Sequence, residues 1–590
     1  MLRPTKLTWA CLALLPACQV LLLIAAYGLD FPFEDEWMLA PLFVKYAHGT
    51  LTFSDLFAQQ VEYRQFFPNL IIIGLGWFTH WNVKYEMVIS FLLGCLISFN
   101  IYRLGEKTVG REGVGHLLAY VGANLMIFSP TQYENWLQGQ QLIYFIPVAC
   151  VTTCLLIAYS SLSPAFKFGF CMCLATISSF SAANGLLCWI VVLPALAWPE
   201  ERSDFKQIRL LVLVWIVGFA LSAALYFYHF QMPPLSSTGG LLSKAAYAIT
   251  YFLALLSSPL MGDHRYLVLP AAVLGLVLVT VYLWMVRLLV RTPRDSDLVH
   301  RMLCWVLLGA FSVFTALLIT YGRLSLGLGF SLASRYKTFS LYLIVSLIYL
   351  LTIVWEKKRR VLPTKWTNKK FLRAAIVSAF VLYFMAALLA FRHIGMYRAS
   401  LLQAKAGVLL LNTVDYDYLK RTIEARCLKL GSMKDTIAAL DMMGFLRPSL
   451  VKKDLLLNAR GSETRAETNG MFEQLTIQGD WYTASGWAVL PDSGAPADAV
   501  LLVGQDVAGD PTVFLIADVS NTGDILTRFR RASPTLSWEG AIPKKDLPPE
   551  TINLSAWAFD ANTARAYRLS GTHTVEQARS DANQHNGSSH

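Results

Sequence analysis

Eleven times within its first 391 residues the chain runs apolar for about the 20 residues that a helix needs to cross roughly 30 Å of hydrocarbon. The runs lie near 9–28, 84–102, 113–129, 143–163, 167–182, 185–199, 210–229, 266–286, 302–321, 337–355 and 372–391, and two of them are short, which leaves their ends soft. Composition points the same way: 55% of the 590 residues are hydrophobic and 15% charged. That excludes an ordinary soluble globule and makes the bilayer the main solvent.

Basic residues orient these spans, because loops held in the cytoplasm retain Lys and Arg. Arg3 and Lys6, then Arg103, Lys107 and Arg111, Lys167, Arg202, Lys206 and Arg209, Arg287 to Arg301, and the Lys357–Arg373 run all fall in loops of one parity. A cytoplasmic N-terminus is therefore expected, with every other loop and everything after Arg392 on the opposite face, the periplasm of a bacterial inner membrane. Arg3 and Lys6 before an apolar run also fit a cleaved signal peptide. Leu12 to Ala26 is long, however, and no clear small-x-small site follows, so an uncleaved anchor is expected. The formal charge of +11 calls for no nucleic-acid partner, since the basic residues concentrate in those loops. Nine of the ten cysteines sit in or beside apolar runs, leaving only Cys427 outside and no disulfide framework or CxxC pair there.

The expected organisation is a transmembrane domain over 1–391, a helical connector over 392–470, a β-sandwich or jelly roll over 471–575 and a polar, disordered tail over 576–590. Pro68–Trp81 and Leu241–Leu260 are apolar, but making either a span breaks the charge alternation, so both are expected at the outer membrane surface. Leu401–Met443 has helical spacing, with Lys420, Arg421, Glu424 and Arg426 on its polar face. LTIQG, YTASGWAVL, AVLLVG, TVFLIAD, LSWEGAI, INLSAWAFD and AYRLSG, separated by PDSGAP, NTG and DAN, read as seven strands.

The acids of the first external loop are the most distinctive polar feature. DFPFEDEWMLAPLF places Asp30, Glu34, Asp35 and Glu36 just beyond the first span, interleaved with Phe31, Phe33 and Trp37 and with no basic residue beside them. Acids flanking a span can simply be solvated, but apolar neighbours raise a carboxylate's proton affinity, which suits a general base. Farther along the loop, QVEYRQFFPNL sets Glu62 and Arg64 on either side of Tyr63. The second external loop, SPTQYENWLQGQQLIYF, has Glu134 as its only charge, and Gln138 is one of its many amides. Amides and aromatics hydrogen-bond sugar hydroxyls and stack on sugar faces; they also anchor loops at membrane interfaces. Cations stand against the inside bias in two further external loops, His264 and Arg265 in MGDHRYL, and Arg323, Arg335 and Lys337, with Tyr336, in YGRLSLGLGFSLASRYKTFS. A lipid phosphate gives them a reason to be there, since guanidinium forks match phosphate oxygens; snorkelling to anionic headgroups is the alternative.

With these residues placed, positions 1 to about 400 resemble the GT-C superfamily of membrane glycosyltransferases, which take sugars from polyprenyl phosphates. The resemblance rests on the acid pair Asp35-Glu36 after the first span, the amphipathic segment beside it, the many spans and the C-terminal domain. EYR, ENWLQGQQ and SRY are similar to segments of bacterial members. It implies Asp35 as general base, paired with Glu36, and Glu34, Trp37, Glu62, Tyr63, Arg64, Glu134 and Gln138 at the substrates. His264, Arg265, Arg323, Arg335, Tyr336 and Lys337 are then expected at the lipid phosphate. An acceptor hydroxyl, deprotonated by Asp35, is expected to attack the anomeric carbon and expel polyprenyl phosphate. In size and layout the chain also resembles those members that decorate type IV pilins with arabinofuranose, which implies a pilin or a surface glycan as acceptor. Some members hold a divalent metal at the acidic motif and others do not; no His-rich ligand set occurs here, so no cofactor is assigned and a divalent metal stays open. A transporter or flippase for a lipid-linked glycan is the competing reading. It predicts internal repeats and charges inside spans, and neither is clear in the sequence.

Overall fold

The computed structural model describes residues 6–110, 114–198, 205–231, 241–293, 296–361, 369–410, 433–446, 449, 469–491, 494–505, 511–519, 537–544, 547 and 551–575. The tail, Cys427 and the connector residues Lys420, Arg421, Glu424 and Arg426 lie outside the described residues. The chain divides into two compact units, residues 1–30 with 51–394 and residues 31–50 with 395–590.

Helices α1 (Lys6–Tyr27), α2 (Ala40–Ala47) and α3 (Phe53–Phe57) come first, then a small hairpin of β1 (Gln59–Gln60) and β2 (Tyr63–Arg64). There follow α4 (Phe66–Thr79), α5 (Lys84–Thr108), α6 (Val114–Ile127), α7 (Tyr133–Leu137), α8 (Leu142–Ala158), α9 (Pro164–Ser179) and α10 (Leu187–Leu196). After these come α11 (Phe205–Phe227), α12 (Leu241–Ser257), α13 (Val268–Arg291), α14 (Asp297–Arg323), α15 (Lys337–Val361) and α16 (Lys369–Leu409).

Each of the eleven apolar runs carries a helix. Seven helical segments are long and apolar enough to cross a bilayer: Lys84–Thr108, Gly139–Ala158, Gln207–Phe227, Arg265–Arg291, Asp297–Leu326, Ser334–Lys357 and Val377–Leu409. The expected count of eleven is not reached on this measure. α6 has 14 residues, α9 has 16 and α10 has 10, and α1 qualifies only as the shorter apolar stretch Cys11–Tyr27. At 1.5 Å per residue a 14-residue helix covers about 21 Å, short of the hydrocarbon thickness. Pro68–Trp81 forms most of α4, with Trp77 and Phe78 exposed and Ile72 and Ile73 buried. Leu241–Leu260 is α12 followed by a single 3-10 turn.

Burial separates the helices of the first unit by role. α8 is apolar on every side and buried along nearly its whole length, whereas α11, equally apolar, exposes Leu210, Leu213, Ile216, Val217 and Leu221. Such a surface suits lipid and not water. Close approach relies on small residues: a Cβ on Gly275 of α13 meets the Leu253 carbonyl oxygen of α12 at 1.9 Å. Several polar side chains inside the bundle pair with one another, Asn100 Nδ2 donating to Thr153 Oγ1 at 2.9 Å and Ser98 Oγ to Asn124 Oδ1 at 2.7 Å. At one end of the bundle Thr108, Ser296, Asp297, Leu298, Arg301, Ile353, Glu356 and Lys357 line a cavity of about 210 Å³. The C-terminal ends of α5 and α15 and the N-terminal end of α14 thus share that end, as alternating spans require.

The helix that carries the last apolar run does not end near Arg392, where the helical connector was expected to begin. α16 runs unbroken for 41 residues to Leu409 and takes up the start of the expected connector; the helix Met433–Met442 follows. All seven expected strands form: β3 (Gly470–Gln478), β4 (Trp481–Ala488), β5 (Ala499–Gln505), β6 (Pro511–Val519), β7 (Ser537–Pro543), β8 (Asn553–Asp560) and β9 (Arg565–Thr574). They close into a barrel in the order β3-β4-β7-β6-β5-β8-β9 instead of the expected sandwich or jelly roll. The seams explain the difference. Among the described residues the β6–β7 ladder consists of Asp518–Glu539 and Val519–Trp538, and the β3–β9 ladder of Met471–Ser570, beside which Ser570 Oγ donates to the Gly470 carbonyl at 2.8 Å. These short ladders join what would otherwise be two sheets. β4 buries every second residue, and Phe472, Tyr482, Val500, Leu502, Trp538 and Leu554 fill the interior.

Candidate functional site

The β1–β2 hairpin turns at Val61, whose φ of 52° is left-handed, and it presents Glu62, Tyr63 and Arg64 in succession. Arg64 is the anchor. Its Nε donates to the Tyr226 carbonyl at 2.7 Å, Nη1 to the Phe57 carbonyl at 2.9 Å and Nη2 to the Tyr228 carbonyl, with the guanidinium 4.9 Å above the Phe57 ring. Two of these acceptors lie at the C-terminal end of α11, where orphan carbonyls favour a cation. Arg64, expected at the substrate, therefore spends its donors on the fold. Tyr226 Oη donates to the Glu62 carbonyl at 2.8 Å, and Gln59 exchanges hydrogen bonds with Gln231.

Three carboxylate–cation pairs form around the loops that join the helices at this end. Arg323, the last residue of α14, binds Glu62 with both arms of its fork, Nη1–Oε1 at 2.7 Å and Nη2–Oε2 at 3.0 Å. Arg335 Nε meets Glu134 Oε2 at 2.9 Å. Lys337 Nζ meets Asp263 and donates to the Met261 carbonyl at 3.0 Å. Tyr63 is hydrogen-bonded to Arg323 and to Tyr144, and its phenol is pushed up by burial and then by Glu62, against the pull of Arg323. Asp263 also contacts the Tyr133 hydroxyl and lies 3.8 Å from His393 Nδ1; burial, reinforced by Asp263 and Glu134, raises the Tyr133 phenol.

The frame behind these pairs is amide-rich. Asn135 Nδ2 donates to the Arg335 carbonyl at 2.8 Å and to Thr338 Oγ1 at 2.6 Å, and the Glu134 N–H donates to Ser334 Oγ at 3.2 Å. Gln138 is buried and accepts from Gln141 Nε2 at 2.7 Å. Tyr336 is buried beside Phe330, its ring 6.4 Å away. His264 stacks on Tyr266 at 5.1 Å and packs on His393, whereas Arg265 is exposed. The structure thus gathers Glu62, Glu134, Arg323, Arg335 and Lys337 into charged pairs, with Tyr63 hydrogen-bonded to Arg323, and leaves Arg265 exposed. Sequence reasoning passed over Asp263, His393 and Tyr144. Asp263 stood inside the quoted MGDHRYL motif, but nothing in the sequence ties it to Lys337, which lies 74 positions away.

The second unit holds the acidic motif. Glu34 has a left-handed φ of 49° and opens a 3-10 turn over Glu34–Leu39. Glu36 is buried, and its Oε2 accepts the Phe33 N–H at 2.7 Å while its own N–H donates to the Phe33 carbonyl at 3.1 Å. That reciprocal pair is a helix cap. Trp37 turns inward, edge-on to Phe31 at 5.9 Å, and Phe33 packs edge-on to Tyr397. Asp35 points outward and is exposed. Phe31, Phe33 and Trp37, interleaved with the acids in sequence, are buried and do not enclose Asp35.

Among the described residues no group of three or more His, Cys, Asp or Glu side chains is placed to hold a metal ion. Comparison with protein-family models, with curated proteins and with solved structures finds no match.

Proposed function

We propose that this chain is a membrane glycosyltransferase that moves a sugar from a polyprenyl-phosphate donor to an acceptor outside a bacterial inner membrane. The observation that carries the reading is the convergence of Arg323, Arg335 and Lys337, with Tyr63, at one end of an apolar helical bundle. Cations with carboxylates and phenols at the edge of a lipid-facing bundle suit a lipid phosphate with a sugar attached. In the proposed reaction the acceptor hydroxyl oxygen bonds to the anomeric carbon, the carbon–oxygen bond to phosphate breaks, and the electron pair leaves on the phosphate. Cations stabilise that charge. The hydroxyl proton passes to Asp35, an assignment carried by sequence position alone. Eleven spans, a cytoplasmic N-terminus, an external barrel and a pilin or surface glycan as acceptor belong to the same proposal, as does arabinofuranose as the sugar.

One observation favours the competing transporter. Lys337 is fully buried with Asp263, and His393 of α16 is beside them, so charge does enter the bundle. The two readings separate in purified protein. Detergent-solubilised chain, given lipid-linked sugar and an acceptor, should form the glycosidic bond where no transport step exists. Arg335→Ala should raise the apparent KM for the donor more than it lowers kcat, since a ground-state phosphate contact is uniform binding. Absence of transfer with every lipid-linked donor, alongside glycan movement across proteoliposomes, would sink the transferase reading.

A further inference from the structure

The three cations proposed to hold the donor phosphate are already matched by three carboxylates, Glu62, Glu134 and Asp263. Adding a phosphate to that set with every carboxylate in place concentrates negative charge where water is partly excluded, which is unfavourable. One carboxylate has to yield. We infer that Glu62 is a built-in stand-in for the donor phosphate: it occupies the Arg323 fork in the empty site and is displaced when the phosphate arrives. The inference deepens the reading of the same site and rests on it.

Three observations single out Glu62. Its two oxygens face the two terminal nitrogens of Arg323 at 2.7 and 3.0 Å, the geometry a phosphate reproduces in kind without moving the arginine. Arg335 meets Glu134 through Nε at 2.9 Å, with its carbonyl tied to Asn135, and Lys337 is only 1% exposed. Exposure excludes Lys337 but not Arg335: Arg323 and Glu62 keep 24% and 19%, and Arg335 and Glu134 keep 23% and 15%, so the two-armed fork decides between those pairs. Finally, the backbone of Glu62 is fastened independently of its carboxylate. Tyr226 holds its carbonyl, and Arg64 holds the following strand to the end of α11. The side chain can swing without unfolding the hairpin. Once released, the carboxylate has accepting oxygens free for a sugar hydroxyl, which makes Glu62 a positioning residue engaged only by loaded donor.

The test is equilibrium binding of a long-chain polyprenyl phosphate, the reaction product without its sugar, to purified full-length chain in detergent. Glu62→Gln removes the competing charge and should tighten binding roughly two- to fivefold, the range expected for a partly exposed ion pair. Its kcat for transfer should fall at the same time. Glu62→Asp, too short to span the fork, should tighten binding by a smaller factor and keeps the test open if the Gln variant fails to fold. Arg323→Ala should weaken binding in both backgrounds. Inorganic phosphate as the probe distinguishes a bare anion site from a lipid one: the lipid should bind far more tightly than the free ion, and equal affinity would overturn the donor-specific form. Unchanged or weaker binding by both Glu62 variants would overturn the exchange itself. Tightening without any glycosyl transfer by wild type would retain the exchange and remove the transferase reading, whereas transfer without tightening would do the reverse.

Discussion

Asp35 and Glu36 are neighbours in sequence and opposites in surroundings. Glu36 spends its carboxylate on the Phe33 N–H inside the turn, and Asp35 stands in solvent with nothing in its own turn to hold. Substitutions at the two positions should therefore separate chemistry from structure. Asp35→Asn should leave melting unchanged and lower transfer by roughly 10² to 10⁴, the range for a lost general base. Glu36→Gln should destabilise the second unit by about 1 kcal/mol through its weakened buried hydrogen bond, with a smaller loss of transfer. Thermal melts and donor-saturated rates measured on the two variants decide this. Equal losses of stability would discard the distinction, and near-normal transfer by Asp35→Asn would remove it as base. The sequence made the acids visible because they follow the first span without a compensating cation. It could not show which acid faces inward, because that depends on a 3-10 turn opened by Glu34 in a left-handed conformation. Nor could it pair Glu62 with Arg323, 261 positions away, since such a pair leaves no trace in local spacing.

Elements were more legible where one period governs them. β4 alternates buried and accessible residues while β5 and β8 are continuous short buried runs, and turn residues bound them, so all seven could be read off the chain. Their closure could not, because it depends on one residue pair between β3 and β9 and two between β6 and β7. Spans were legible as apolar runs, but α10 has only 10 helical residues where the apolar run is longer. The continuation of α16 through Arg392 was missed because polar residues there break the apolar pattern without breaking the helix. The barrel has its own interior and no cysteine, so residues 469–575 expressed alone should melt cooperatively. Its melting should also carry a signature of Asp498, whose carboxyl burial pushes up to about 6 although it accepts the Ala561 N–H at 2.8 Å. An acid with a folded pKa above its unfolded value binds protons more tightly when folded, so stability falls as pH rises from about 4 to about 6 and stays lost above that. After discounting for partial exposure the loss is on the order of 1–2 kcal/mol. Melting at pH 4.5 and 7.5 should show it, and Asp498→Asn should abolish most of the difference. A non-cooperative melt refutes autonomy, and an undiminished pH effect in the Asn variant clears Asp498.

For the whole molecule the open question is orientation, and the charge pairs bear on it. Arg323, Arg335 and Lys337 were the exceptions to a pattern in which basic residues keep to one side of the membrane. Each is matched by a carboxylate, so their end of the bundle carries little net positive charge from them. Arg103, Lys107, Arg287, Arg291, Arg301 and Lys357 lie on the ends of α5, α13, α14 and α15 away from those pairs. The cavity lined by Thr108, Asp297, Arg301, Glu356 and Lys357 brings three of these helix ends together, so α14 runs antiparallel to α5 and α15. Orientation is then expected to follow from where Lys and Arg are most numerous, since loops rich in them are retained in the cytoplasm. A reporter active only outside the cytoplasm, fused after Thr574 behind the last strand, should be active, and the same reporter after Lys358, beyond α15, should be silent. A fusion near Gly262, in the loop that carries Asp263, should also be active. That third position matters because the first two could agree by chance if an even number of spans were miscounted upstream. Silence after Gly262 with activity after Thr574 would place the ion pairs on the cytoplasmic side and exclude an external donor site, whatever the enzyme assays showed.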